Sequence, residues 1–237
     1  MDWVRDFYST TGSWWGRAEA KVTERDHRRV RLLHEHVGAG TKRVLELGAG
    51  YGTTAAAMGQ AGHDVTAVEI SDRADFAEAG LDVRKEDFYQ VQLPGEFDVV
   101  CYWNGFGVGT DADQRRLLRR IAAEWLKPGG TALIDVSNPF VWARWDGDEE
   151  HRHPDPAAGY EIELHERTAF DPVTCTATDT WWPAAQPEQK ISQVLRCYTP
   201  ADLTLLLEGT GLELTKIDAG DLLHHQHEYL AVLRRPR

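Results

Sequence analysis

Residues 43–52 read Arg43-Val44-Leu45-Glu46-Leu47-Gly48-Ala49-Gly50-Tyr51-Gly52, and the fold turns on them. An apolar run carrying one acid breaks into three closely spaced glycines, and Thr53 to Met58 then read as helix. That is a buried strand, a tight turn and a helix N-terminus in succession. Glycine lets such a turn take φ > 0 and approach a ligand closely. The helix start presents unpaired N–H groups to anything of negative character. Dinucleotide enzymes use Gly-x-Gly-x-x-Gly here. In this chain Thr53 stands in place of the third glycine and the spacing is Gly-x-Gly-x-Gly. That argues against a nicotinamide-dependent oxidoreductase, the first competing class; a glycine turn with no ligand is the plainer alternative.

Working outward, Val65 to Val68 reads as a second strand ending in Glu69, which follows Gly50 by 19 residues. An acid about 20 residues beyond the turn is where a βαβ unit places a ribose-hydroxyl acceptor. Leu81 to Lys85 is a short third strand. Phe97 to Cys101 is a fourth, ending at Tyr102-Trp103-Asn104-Gly105, and open α/β sheets bind ligands at such strand ends. Asp111 to Leu126 is a helix with Leu117, Leu118, Ile121 and Trp125 inward. Its Arg115, Arg116, Arg119 and Arg120 read as a solvated face in preference to a phosphate site.

The run Val44 to Gly52 closely resembles the first motif of the class I S-adenosylmethionine (SAM) dependent methyltransferases of small-molecule type. So does Leu126-Lys127-Pro128-Gly129-Gly130 leading into Thr131 to Val136, which matches that family's turn and fifth strand. The Tyr198-Thr199-Pro200 helix start, the Gly211-Leu212 turn and a closing hairpin match its end. The resemblance covers nearly the whole chain except the acceptor-facing parts. It implies an α/β fold: a seven-stranded, mostly parallel sheet in the order 3-2-1-4-5-7-6 with helices on both faces. Thr/Val/Trp-rich runs at 160–170, 173–182 and 189–199 add an antiparallel sheet inserted between strand 5 and the last helix. The single domain then divides into an N-terminal lid or helical segment (1–40), a SAM-binding core (41–137), a β segment that covers substrate or forms a dimer surface (138–199), and a C-terminal helix and hairpin (200–237).

The resemblance also implies roles. Glu46, Gly48, Ala49, Gly50 and Gly52 would cradle the methionine part of SAM, with Trp103 and Asn104 beside them. Glu69 would hold the ribose, Ile70 and Phe88 would flank the adenine, and Asp87 would accept from its amino group; Glu86 replaces Asp87 if the register slips by one. Residues 1–20 carry many aromatics but are interrupted by Gly12 and Gly16, too broken for a long helix. Tyr8, Trp14 and Trp15 are lid candidates, since a sulfonium is drawn to aromatic faces; an N-terminal helix packed on the domain is the alternative. Residues 18–37 form an amphipathic helix whose His27, His34 and His36 are solvated. On the acceptor side the candidates are Trp15, Trp142, His165 and Arg196. The loop 219–227 falls near Asn138 at the cofactor edge, so His224 and His225 are candidate bases; a solvated loop is the alternative. No metal is implied.

Composition narrows the class. The 237 residues carry a net charge of −12 and nine tryptophans. An acidic chain is a poor fit to nucleic acid, and no segment approaches a membrane span. Three cysteines without ligand spacing, and an N-terminus without a secretory pattern, point to the cytoplasm. The expected function is methyl transfer to an amine or hydroxyl of a small metabolite. A catalytically silent SAM-binding regulatory or assembly protein is the second competitor.

Overall fold

The computed structural model describes residues 2–15 and 19–237. Its centre is a seven-stranded sheet of β1 (Arg43–Leu47), β2 (Asp64–Glu69), β3 (Asp82–Lys85), β4 (Phe97–Phe106), β5 (Leu126–Ser137), β10 (Glu213–Asp218) and β11 (Glu228–Arg234). The order is β10-β11-β5-β4-β1-β2-β3, so the expected topology holds. β11 runs antiparallel to both β5 and β10, and the other pairings are parallel. A separate antiparallel sheet, β6 (Glu149–Arg152), β7 (Leu164–Asp171), β8 (Thr176–Pro183) and β9 (Ile191–Arg196), is inserted after β5 and the short α5 (Pro139–Trp142).

Alternation on the strands divides the core between two faces of the large sheet. Leu45, Leu47, Val100 and Ile134 face a cluster with Trp125, Leu206 and Leu207. These come from α4 (Asp111–Arg120), the single π-helical turn Ile121–Trp125 that follows it, and α6 (Pro200–Leu207). Val44, Val99, Cys101 and Leu133 face Leu33 and Met58, from α2 (Glu24–Val37) and α3 (Thr53–Gln60). Glu46, on the same phase as Val44, is therefore turned toward α2 and α3.

Several expectations are corrected. The N-terminal aromatic segment is a continuous helix, α1 (Asp2–Trp15), despite Gly12. A Cβ at Gly12 would sit 2.8 Å from Arg73 Cγ, so this glycine makes room for an arginine and does not break the helix. Gly16 and Ala18, the expected interruption and helix start, lie outside the described residues. The second helix begins at Glu24, because Thr23 and Asp26 form a capping box there. Its histidines are not all solvated: His34 lies 3.0 Å from His63 and His36 3.2 Å from Asp218. The arginines of α4 also do more than face water. Arg120 donates to the carbonyls of Phe88 and Val91, and Arg115 to that of Leu205. The stretch 146–159, read as loop, contains β6, where His151 contacts Glu163 at 2.6 Å. Thr199 caps α6 with Pro200 in its first turn, as the sequence indicates. No helix among the described residues is long and apolar enough to cross a membrane.

Candidate active site

Two cavities of about 350 Å³ each meet at the C-terminal ends of β1, β2 and β4. The first is floored by the glycine turn. Gly48, Gly50 and Gly52 all have positive φ, and a Cβ added at Gly50 would meet nothing within 4 Å. The turn is held from the side by Glu69, whose Oε2 accepts from the Gly50 N–H at 2.7 Å. Its Oε1 accepts from the Ser71 N–H and hydroxyl at 2.8 and 2.6 Å. The two sequence signals, turn and distant acid, are thus one hydrogen-bonded unit. Three of the carboxylate's roughly four acceptor positions are already used, which leaves room on Oε2 for one further donor.

Of the residues expected to hold cofactor, Tyr8, Glu46, Gly48, Ala49, Gly50, Glu69, Ile70, Asp87, Phe88, Trp103 and Asn104 line this cavity. Gly52 does not; it caps α3 behind the turn. Trp14 does not either, being buried in a cluster with Phe7, Leu164 and Trp181. The second cavity is lined by Trp142, one of the acceptor-side candidates, and Trp15, Tyr8 and Trp181 line both. His165 is stacked between His151 and Trp182, and Arg196 pairs with Asp111; neither lines either of these two cavities. Asn138 is structural in placement: its amide donates to the carbonyls of Leu222 and Gln226, pinning the 219–227 loop. His224 and His225 are exposed on that loop, His224 against Asp221 at 2.9 Å, and neither lines a cavity. The histidine of this loop that lines the second cavity is His227, beside Trp145.

The reading from sequence also missed Arg73. Its guanidinium lies 5.0, 4.9 and 5.4 Å from the rings of Tyr8, Trp15 and Tyr51. It donates to the Tyr8 carbonyl at 3.0 Å and the Thr11 hydroxyl at 2.7 Å. The Tyr51 hydroxyl donates to the Gly12 carbonyl at 3.0 Å. These bonds clamp α1 across the first cavity. No local sequence pattern marks Arg73, because its hydrogen-bond partners on α1, Tyr8 and Thr11, are 65 and 62 residues away. His227 carried a weak signal, adjacency to the inward-phased strand β11.

Electrostatics concentrate on the face toward α2. Burial pushes the Glu46 carboxyl up to about 8, against the pull of Arg29. Asp135 and Glu228 are each raised to about 7, chiefly by burial. Arg29 stands among them, 3.7 Å from Asp135 and 5.3 Å over the ring of Trp103. Burial lowers His227, opposed by Asp135, and so favours its neutral form.

Five buried side-chain polar atoms lack a hydrogen-bond partner among the described residues: Trp15 Nε1, Glu46 Oε2, Trp103 Nε1, Trp142 Nε1 and Asp179 Oδ1. Every one belongs to a residue lining one of the two cavities. Buried polar groups are ordinarily paired, so these orphans mark where ligand atoms are required. The first cavity fits SAM: Glu46 Oε2 can accept from an ammonium, Glu69 from a ribose hydroxyl, and Phe88 and Ile70 offer apolar cover for adenine.

Comparison with known proteins agrees with this geometry. A family profile described as a methyltransferase domain matches residues 20–217, and the chain belongs to that family. The cypemycin N-terminal methyltransferase of a Streptomyces species is 33% identical over 126 residues, covering 50% of this chain and 51% of that protein. A ubiquinone biosynthesis O-methyltransferase of Stutzerimonas stutzeri is 27% identical over 150 residues, covering 57% and 62%. The chain thus spans only about half to three-fifths of these relatives. Among solved structures, the CcbJ methyltransferase of Streptomyces caelestis superposes with a TM-score of 0.74 at 20% identity, covering 99% of this chain and 96% of that one. Other solved chains of this fold hold SAM or S-adenosylhomocysteine.

Proposed function

We propose that this methyltransferase acts on an amine nitrogen of a small metabolite in the cytoplasm. The observation that carries the reading is the second cavity. It adjoins the cofactor cleft through the shared wall of Tyr8, Trp15 and Trp181, and it is lined by Trp142, Trp145 and the acids Asp148, Glu150, Glu166 and Asp179. Tryptophan faces and carboxylates suit a cationic organic molecule. A hydroxyl acceptor is the second reading, favoured by His227, whose lowered pKa makes it a competent base near neutrality.

SAM, when bound, supplies an electrophilic methyl group for in-line displacement. The protein's work is alignment and exclusion of water. Glu46 and Glu69 would fix the two ends of the cofactor, and Tyr8, Trp15 and Trp181 would close the space around the reacting atoms. His227 can take the proton an amine or hydroxyl releases. In support, the three cysteines are all free thiols, which suits a reducing compartment. The second cavity sets Arg73 and His227 against four acids, a balance that does not suit nucleic acid.

Incubation with SAM and a panel of amines, phenols and sugar hydroxyls tests this, with S-adenosylhomocysteine release as readout. Turnover with amines is expected. Turnover with hydroxyls alone would establish the second reading. SAM binding without turnover on any of them would favour a catalytically silent member of the fold.

A further inference from the structure

The inner face of the β6–β9 sheet gathers Glu150, Glu166 and Asp179 around the second cavity, with Arg152 the sheet's own cation acting on Glu166 among the described residues. Glu150 and Glu166 are directly opposite across β6 and β7, a like-charge pairing that destabilises a sheet. Asp179 lies diagonal to Glu166, opposite Thr168 on β7 and Gln193 on β9. On β8 the inward positions are Ala177, Asp179, Trp181 and Pro183, so an acid occupies a core phase. Asp179 is only 5% exposed. Its Oδ2 accepts from Trp181 Nε1 at 2.8 Å and Gln193 Nε2 at 3.0 Å. Its Oδ1, equally buried, has no donor among the described residues other than the carboxyl of Glu166 when that is protonated, although the cavity it lines runs between Trp142, Trp145 and Trp181. The neighbouring cation, Arg152, is spread over the rings of Trp15 and Trp181. Arg73 is committed to α1.

We propose that Asp179, with Glu166 beside it, is an ammonium subsite: the acceptor carries a basic amino group that donates to Asp179 Oδ1 while its carbon frame lies against the three tryptophans. This rests on reading the second cavity as the acceptor chamber. A cation there satisfies the orphaned oxygen and offsets the opposed glutamates in one step. Without it, burial, then a hydrogen bond to Asp179 and the charge of that neighbour, push Glu166 up to about 9, so the two carboxyls share a proton in the cation's place. The subsite is also registered to the cofactor side. Gln193 Oε1 accepts from the Tyr8 hydroxyl at 3.0 Å, and Tyr8 lines both cavities. The chain Tyr8–Gln193–Asp179 therefore fixes the carboxylate relative to the boundary where the reactants meet.

The test uses enzyme saturated with S-adenosylhomocysteine at pH 7 and three matched probe pairs: phenethylamine and 2-phenylethanol, cyclohexylmethylamine and cyclohexylmethanol, methyl glucosaminide and methyl glucoside. Calorimetry should show at least one amine binding about tenfold tighter than its alcohol, the margin of a charge-assisted over a neutral hydrogen bond. Asp179→Asn should reduce that preference to about twofold or less while S-adenosylhomocysteine affinity stays unchanged. If no amine outbinds its alcohol, or the preference survives Asp179→Asn, the proposal fails. Should Asp179→Asn lose S-adenosylhomocysteine affinity through misfolding, Glu166→Gln replaces it, and an undiminished preference there overturns the proposal. Amine preference in a protein that never releases S-adenosylhomocysteine would sink the catalytic reading and leave the subsite standing.

Discussion

Gly50 shows how much one residue contributes to this site. Its φ of 56° lies in the left-handed region, and the direction its Cβ would take is open toward the cofactor cavity. Any side chain meets both a backbone penalty of about 1–2 kcal/mol and a steric conflict with whatever fills the turn. Gly50→Ala should therefore weaken SAM binding roughly tenfold or more, about 1.4 kcal/mol, and calorimetry against the parent checks it. Wild-type affinity in the variant would mean that the cofactor does not lie against this turn. The glycine spacing made this residue legible in the sequence. Asp179 was equally present there, as an acid in phase with Ala177 and Trp181, but reading it required knowing which face of β8 turns inward. Arg73 was not legible, since only the folded chain brings Tyr8, Thr11 and Tyr51 around it.

Among the elements, α2 is the one whose attachment matters most to the cofactor. Asp26 is fully buried. Its Oδ2 accepts from the Thr23 N–H and hydroxyl, each at 2.8 Å, and its Oδ1 from the hydroxyls of Thr53 and Thr54 at 3.0 and 2.7 Å. One carboxylate thus caps α2 and grips the start of α3, the helix that follows the glycine turn. Burial alone would raise its pKa; the hydrogen bonds from Thr54, Thr23 and Thr53 outweigh that and lower it. Asp26→Ala should cost about 2 kcal/mol, combining a lost cap with unsatisfied hydroxyls. Urea unfolding should show a lower midpoint at unchanged slope; an unmoved midpoint would contradict the role. The helix itself was readable from its apolar spacing, but its start was misplaced by six residues. Thr23 and Asp26 form the capping box that marks the true start. Strand order was legible for a different reason: consecutive motifs in a fixed sequence constrain it, whereas β6, all exposed and polar, has no apolar phase to betray it.

Across the whole molecule, charge is distributed unevenly. The large sheet buries Glu46, Asp135 and Glu228 on the side of Arg29, and the small sheet holds Glu166. Their carboxyls are raised to about 8, 7, 7 and 9, with burial the leading cause at each. Between the ordinary carboxylate range and these values the folded chain binds more protons than the unfolded one, so stability falls as pH rises. His63 and His227 are lowered by burial and act in the opposite sense, but their effect is complete near pH 6.5, the unfolded histidine value. From pH 7 to 9 the carboxyls lead, joined in the same sense toward the top of the window by Cys101, Cys175 and Cys197, whose thiols burial raises. The melting temperature of the cofactor-free protein should drop by several degrees over that window. Saturating S-adenosylhomocysteine should blunt the drop, because an ammonium beside Glu46 stabilises its charged form. A flat or rising profile in scanning calorimetry would show that these acids are already ionised in the fold.

The placement of β11 has a consequence for how the chain is made. Glu228–Arg234 pairs with β5 on one side and β10 on the other, so the ribosome must deliver this segment before either neighbour finds its partner. Until then the ladder edge of β5, with Ala132, Leu133 and Ile134, stands open, the kind of edge that recruits other nascent chains. A stop codon ahead of Glu228 would spare every residue of the glycine turn and both cavities' tryptophans, yet yield a product prone to precipitate.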